Sequence, residues 1–539
     1  MSITASEQLP LLAAAPNGIK MLRELILELA VRGKLVAQDP GDEPASELLK
    51  RIAAEKKLFE AEGKIKRSKA GESISEDEKE YELPTGWVWA RIAAIGHDWG
   101  QMIPRRRFTY IDVGSVDNSV GQIREPQVLA AGEAPSRARK LVLPGTVVYS
   151  TVRPYLLNVA VVEQMYDPEP IASTAFAVVH PHCEMPSRYF FWYLRSPTFI
   201  RYVESVQTGI AYPAINDRQF FSGLIPVPPL AEQHRIVAKV DELMALCDRL
   251  EAQQADAENA HAQLVATLLD SLTRASDSDD FAASWQRLSA HFDTLFTTES
   301  SIDALNQTLL QLAVMGKLVP QDPKDEPVSE LVKGICEDSL PIVDTEKPFA
   351  LPEKWSWFRF DELLDFQGGG QPSKSFFSAV PHPGYVQLIQ IRDLGECPQP
   401  VYIRREQAAK FCTTSDIMVG RYGASVGKIF WGRDGAYNVA LVKMVDKHEM
   451  FDRSFLYCLL KSPSGQSLFL GISRSAQDGF NKTDVGNKLV PLCPLAEQRR
   501  IVAKVDQLMA LCDQLKLRLR QARQFNEELA AVLVQRAVA

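Results

Sequence analysis

The sequence predicts an α+β protein in which two α/β bodies are separated by a long antiparallel two-helix coiled coil, as a pseudo-twofold tandem repeat. Three observations lead there. One helix is written twice: PLAEQHRIVAKVDELMALCD (229–248) and PLAEQRRIVAKVDQLMALCD (494–513) differ only at His234/Arg499 and Glu242/Gln507. Each copy continues an apolar seam at alternating steps of four and three. Ahead of each copy lies a β-rich body, and the two bodies share an order of motifs but little sequence.

The elements follow in order. Residues 1–82 hold a short apolar helix (Ile19–Ala30), a GKLVAQDPGDEP turn and a Lys/Glu-rich linker. LPTGWVWARI opens the first body at 83, which runs to 229. The first long helix and a Ser/Asp break occupy 230–298. Residues 299–350 repeat the short helix (Ile302–Ala313), the turn as GKLVPQDPKDEP, and a linker. The second body, 351–494, opens on LPEKWSWFRF, and the second long helix fills 495–539. The period-two pairs Trp87/Trp89 and Trp355/Trp357 predict a structural strand at the start of each body. The short helices predict packing against the long ones.

The first seam reads Ile236, Val240, Leu243, Cys247, Leu250, Gln254, Ala257, His261, Leu264 and Leu268. The second reads Ile501, Val505, Leu508, Cys512, Leu515, Leu519, Ala522, Asn526, Leu529 and Leu533. Pro229 and Pro494 suit a helix start, and Glu232 and Glu497 fall in the first turn, where the helix dipole favours a carboxylate. A helix over 230–272 is about 65 Å long. If the twins pack antiparallel, the bodies come to opposite ends of a rod. Gln254, His261 and Asn526 could set the register; alternatively His261 is a tolerated, half-exposed position.

The 539 residues carry a net charge of −8, at first sight unfavourable for a nucleic-acid partner. Distribution matters more than the sum. Residues 83–229 hold 13 Lys/Arg against 11 Asp/Glu, and 351–494 hold 17 against 14, so the acid lies in the connectors. No secretory leader or membrane span is expected, and the eight scattered cysteines suit reduced thiols in a cytoplasmic protein.

Both bodies contain polar loops: GQMIPRRRFTYIDVGS (100–115) and QTGIAYPAIND (207–217), then QGGGQPSKS (367–375) and SAQDGFNK (475–482). Arg and Lys meet phosphates or guanine edges, and Asn or Gln can read adenine. Glycine lets a backbone approach a strand closely. Arg105, Arg106 and Arg107 form a charge run that fits a phosphate contact or merely a solvated loop.

PLAEQxRIVAKVDxLMALCD, GKLVxQDPxDEPxSEL, YIDVGSVD (110–117), STVRPYLLNVAVV (150–162) and GRYGASVGK (420–428) together resemble the DNA-specificity subunit of type I restriction-modification enzymes. The resemblance runs over nearly the whole chain. It implies that the bodies are target-recognition domains, each reading one half of a bipartite, asymmetric double-stranded DNA target. It also implies two methyltransferase subunits as partners and, through them, restriction/translocase subunits. S-adenosylmethionine, ATP and Mg are then expected on those partners and no cofactor or metal on this chain. The duplicated helix would offer each methyltransferase an equivalent berth. Contact candidates are Arg153, Tyr155, Asn158, Thr208, Tyr212 and Asn216 in the first body. In the second they are Gln371, Ser373, Lys374, Arg421, Tyr422, Ser425, Lys428, Gln477 and Asn481.

No residue set for catalysis emerges. GRYGASVGK fails as a phosphate loop, because three residues rather than four precede its Gly-Lys, and Ile429 stands where Ser or Thr is needed. No Asn/Asp-Pro-Pro-aromatic motif is present. His180-Pro181-His182-Cys183 reads as a loop rather than a metal site. Two alternatives remain: a self-contained DNA-modifying enzyme, and a coiled-coil scaffold that does not bind DNA.

Overall fold

The computed structural model describes residues 12, 15–66, 73–209, 211–276, 278–333, 341–395, 397–470 and 479–538. The chain divides into two compact units, Met1–Asp256 with Arg523–Ala539, and Ala257–Ala522. The fold is mixed, with one sheet-rich body per unit and two long helices, Leu230–Arg274 and Leu495–Val538. No helix among the described residues is long and apolar enough to cross a membrane.

Each body is tied shut by a two-stranded antiparallel ribbon between its first and last strands. Val88–Arg91 pairs with Leu224–Val227, and Ser356–Arg359 with Leu489–Leu492. The expected tryptophan strands are therefore real. Trp87 and Trp355 are buried at their mouths, and Trp89 and Trp357 donate to the carbonyls of Tyr81 and Phe349.

Beyond the ribbon, the bodies share one topology despite their drift in sequence. In the first, one sheet runs in the order 127–129, 108–111, 170–173, 138–141, and the other 96–97, 176–181, 147–150, 159–161. In the second the corresponding orders are 402–404, 385–389, 435–437, 411–412, and 364–368, 441–446, 417–420, 429–431. Even the exceptional parallel pair recurs, as Phe108–Ile111 with Pro170–Ser173 and as Tyr385–Ile389 with Gly435–Tyr437. Val147–Ser150 and Ile417–Gly420 are buried along their whole length, which is why they read as apolar runs without alternation.

The repeated letters build one node per unit. Trp87 Nε1 donates to Glu232 Oε2 at 2.9 Å, and Trp355 Nε1 to Glu497 Oε2 at 3.0 Å. Arg235 and Arg500 bind Asp42 and Asp325 of the two QDPxDEP turns, each at 2.6 Å. Gln233 and Gln498 donate to the carbonyls of Pro228 and Cys493. Gly33 and Gly316 sit at φ +68° and +71°, where a Cβ would meet Pro84 or Pro352 at 2.5 Å. Burial pushes both glutamates above the ordinary carboxylate range, against the pull of the indole donors. They are buried acceptors as well as first-turn carboxylates.

The short helices, Gly18–Val31 and Glu299–Val314, dock on the long ones as expected. Arg23 pairs with Asp248 and Glu251, and Arg520 with Glu299. In the first unit Ile236, Val240 and Cys247 share a core with Ala530, flanked by Val534 and Val538. In the second, Val265, Leu269 and Leu272 share one with Cys512, flanked by Leu508, Leu515 and Leu519. The start of one long helix thus lies with the end of the other. The repeated Gly-Lys completes this: Lys34 Nζ donates to Val538 O at 2.8 Å, and Lys317 Nζ to Thr273 O at 3.0 Å and Ala275 O at 2.8 Å. Each lysine satisfies carbonyls at the C-terminal end of a long helix, where a cation is favoured.

The seam needs correction. Ile236, Val240, Ile501 and Val505 are buried, and Leu243, Leu250, Leu268, Leu508, Leu515 and Leu519 are partly buried against the cores. Leu264 and Leu529 are exposed, at 53% and 39%, and the buried positions are their neighbours Val265 and Ala530. A seven-residue repeat drifts by about 20° per heptad on a straight helix. Four heptads from Ile236 or Ile501 accumulate about 80°, close to the roughly 100° between consecutive residues. The buried stripe therefore follows the 3.6-residue period. Residues 251–260 and 520–529, Gln254 and Asn526 among them, are exposed throughout rather than buried in a seam. His261 is half-exposed, with Nε2 3.2 Å from Thr294 O.

Candidate nucleic-acid interface

In both bodies the buried strand of one sheet empties into a loop that meets the loop ahead of a short capped helix. In the first body, Val147–Ser150 leads to a turn in which Arg153 and Leu157 flank the 3-10 segment Pro154–Leu156. Arg153 N donates to Pro213 O, and Ile215 N to Thr151 O, both at 2.9 Å. Thr208 exchanges two backbone bonds with Ala214. The Arg153 guanidinium stands 4.9 Å from the centre of the Tyr212 ring. Arg153, Tyr155, Thr208 and Tyr212 are thereby brought together on an exposed surface.

In the second body, Ile417–Gly420 leads to the turn 421–428, and Tyr422 bridges to Gly479. Arg421 Nε donates to Phe480 O at 3.2 Å, and its guanidinium lies 5.1 Å from the Tyr422 ring centre. Ser425 O accepts from Lys428 N at 3.1 Å, and the Lys428 side chain is exposed. A Cβ at Gly420 would strike Ser425 O at 2.1 Å, so only glycine permits this turn. The strand Leu364–Gly368 ends beneath Arg421: a Cβ at Gly368 would lie 4.0 Å from its Nη1. Gln371, Ser373 and Lys374 follow on an exposed loop, with Ser373 accepting from its own turn. The two loop pairs are structural equivalents: Thr151 and Arg421 follow the buried strand, their N–H groups donating to Ala175 O and Ala440 O, and the next residues, Val152 and Tyr422, bridge to Ala214 and Gly479.

Three candidates need reassignment, and one cannot be placed. Asn158 is buried at 9% exposure beside the strand Val159–Val161, where its carbonyl accepts from Ser150 N, so it does not face a partner. Asn216 and Asn481 are helix N-caps, accepting from Gln219 N and Asp484 N at 3.0 Å. Asparagine is favoured at a cap for the same short acceptor that made it look like a base reader. Gln477 lies outside the described residues. Arg105, Arg106 and Arg107 are exposed just ahead of Phe108–Ile111, and no ion pair among the described residues engages them.

Sequence reasoning missed a pair of clamps. The residue after each capping asparagine is held to a sheet with opposite polarity: Asp217 pairs with the buried Lys140 at 2.5 Å, and Lys482 with Asp365 at 2.8 Å. The matching positions of Asp217 and Lys482 after the two asparagines were the available signal. The HPHC stretch is a loop only in its second half, at His182 and Cys183. His180 and Pro181 end the strand Phe176–Pro181, and His182 is buried. His97 lies 4.4 Å from the His182 ring and 5.5 Å from that of His180. Burial and then these neighbouring rings push His97 down to about 3. Among the described residues no group of three or more His, Cys, Asp or Glu is arranged to hold a metal ion.

Residues 126–258 and 352–522 match the type I restriction modification DNA specificity domain. The specificity subunits of the Escherichia coli type I restriction enzymes EcoAI and EcoEI are each 35% identical to this chain, over 97% of it and 94% of their own length. A solved chain, described under the complex assembly and conformational transition of the type I R-M system, is similar at TM-score 0.55 and 25% identity. That match covers 85% of this chain and 99% of the other. Doubled bodies of one topology, doubled motif nodes and this agreement along nearly the full length place the chain in the family of type I restriction-modification DNA specificity subunits.

Proposed function

We propose that the chain is the non-catalytic recognition subunit of its complex, reading a bipartite, asymmetric double-stranded DNA target with one body per half. The carrying observation is the equivalence of the two loop pairs, bridged at Val152–Ala214 in the first body and Tyr422–Gly479 in the second: one scaffold presents two differently furnished surfaces. Arg153, the half-buried Arg421 and the exposed cations Arg105–Arg107, Lys374 and Lys428 supply phosphate contacts, while neighbouring polar side chains meet base edges.

A second feature supports assembly with two methyltransferase subunits. Internal packing accounts for the identity of Glu232/Glu497, Gln233/Gln498 and Arg235/Arg500, but not for the exposed residues. Ala231, Ala238, Ala245 and Leu246, like Ala496, Ala503, Ala510 and Leu511, are exposed and identical between the copies. Two equal berths for one kind of partner explain this. S-adenosylmethionine, ATP and Mg belong to the partner subunits in this reading, with restriction subunits attached through the methyltransferases.

Methylome sequencing of cells expressing the complete system tests the proposal. A split adenine-methylation motif is expected. A continuous motif, or methylation by the purified chain alone with S-adenosylmethionine, overturns it.

A further inference from the structure

The first body carries an exposed apolar patch that polar base reading does not use. Val152, Tyr155, Leu156 and Tyr212 are 39%, 54%, 41% and 68% exposed. Scattered exposed apolar residues are ordinary; four on two bonded loops are not. The patch is also stiff. Leu156 N donates to Arg153 O and Leu157 N to Pro154 O, both at 3.0 Å. Asn118 Nδ2 holds Leu156 O at 2.8 Å, and Arg195 Nη1 holds Asn118 O at 2.8 Å. Arg153 at φ +49° and Leu157 at φ +51° occupy left-handed backbone, costly for leucine and sustained only where the surroundings enforce it.

We propose that this turn is a wedge: on binding, Tyr155 and Leu156 enter between stacked bases of the first half-site, with Tyr212 and Arg153 against the adjoining strand. The proposal rests on the DNA-reading function above and adds unstacking to it. A base step suits the patch because it offers flat apolar faces bordered by phosphates. The patch answers with aromatic and aliphatic side chains around one guanidinium, which no ion pair among the described residues engages. Apolar side chains inserted this way unstack and kink a duplex, so sequence is sensed through deformability. Among the described residues, the second body's equivalent turn, Gly423–Ser425, presents Tyr422 alone as an exposed large apolar side chain, so the wedge is assigned to the first half-site.

The test uses the full chain assembled with its methyltransferase subunits and duplexes bearing the methylated target. 2-Aminopurine replaces one base at a time, sparing the methylated adenine and its neighbours. Wild type should brighten the probe at one step in the first half-site only. Tyr155→Ala/Leu156→Ser should abolish that signal and weaken binding about tenfold. Its salt dependence should stay unchanged, because no phosphate contact is removed. Subunit stoichiometry and thermal melting of the variant serve as controls. A complex that binds the target without brightening any first-half position overturns the wedge alone. So does a double variant that keeps the signal, or one that loses methyltransferase subunits, which would make the patch a protein contact. Failure of wild type to bind the duplex removes the underlying DNA reading as well.

Discussion

Lys428 shows how a residue can be judged by what it does not do. Its ammonium is exposed beside the Arg421 turn, and no ion pair among the described residues holds it. Lys428→Ala in the assembled complex should weaken DNA binding and reduce the slope of log affinity against log salt by about 0.9, one phosphate's worth. Equal slopes for variant and wild type would exclude the contact. His97 makes the opposite case, a titratable group serving the core. Its folded pKa of about 3 lies below the ordinary 6.5, so the unfolded chain binds more protons. The stabilisation is complete above the unfolded value and is lost as pH falls from about 6.5 towards 3. Melting temperatures should therefore drop through that window, and His97→Phe should flatten the drop. An unchanged profile would sink the assignment. Asn216 and Asn481 carry the lesson about legibility: asparagine in a polar loop suggested base reading, but a cap and a reader use the same acceptor, and only coordinates show where it points.

At the scale of elements, the node joining the LPxxWxW strand, the QDPxDEP turn and the long-helix start explains why these motifs recur together. Glu232→Leu strands the buried Trp87 N–H and should cost about 1–3 kcal/mol. Glu232→Gln keeps an acceptor and removes a buried charge, so it should cost less. Comparing their thermal midpoints checks the order, and equal losses would deny the hydrogen bond its role. The exposed helix face makes an independent prediction. Ala238→Arg or Ala503→Arg should leave folding intact and reduce the bound methyltransferases from two to one, and the double variant should bind none. Analytical ultracentrifugation reads this, and full assembly of the double variant would refute the twin berths. Heptad counting placed the starts of both buried stripes and then lost phase at Leu264 and Leu529. Spacing reveals an apolar face, but whether a helix supercoils to keep it depends on what it packs against.

For the whole molecule, modular reading predicts that exchanging residues 83–229 for the corresponding body of a relative changes one half of the methylated motif. Changes in both halves would contradict it. Sequence by itself determined the duplication, the order of elements, the strands opening the bodies, the docking of the short helices and the family, because repeated letters and apolar periodicity are local records of shared constraint. It could not determine that both bodies keep one strand order under divergent sequences, since many side chains satisfy the same pairing. Nor could it show that the loops after Ser150 and Gly420 are equivalent, that Lys34 and Lys317 meet the C-terminal carbonyls of long helices, or that Asp217 and Lys482 are clamped with reversed polarity. Those facts arise from contacts between residues far apart in the chain, and only tertiary packing decides which distant groups meet.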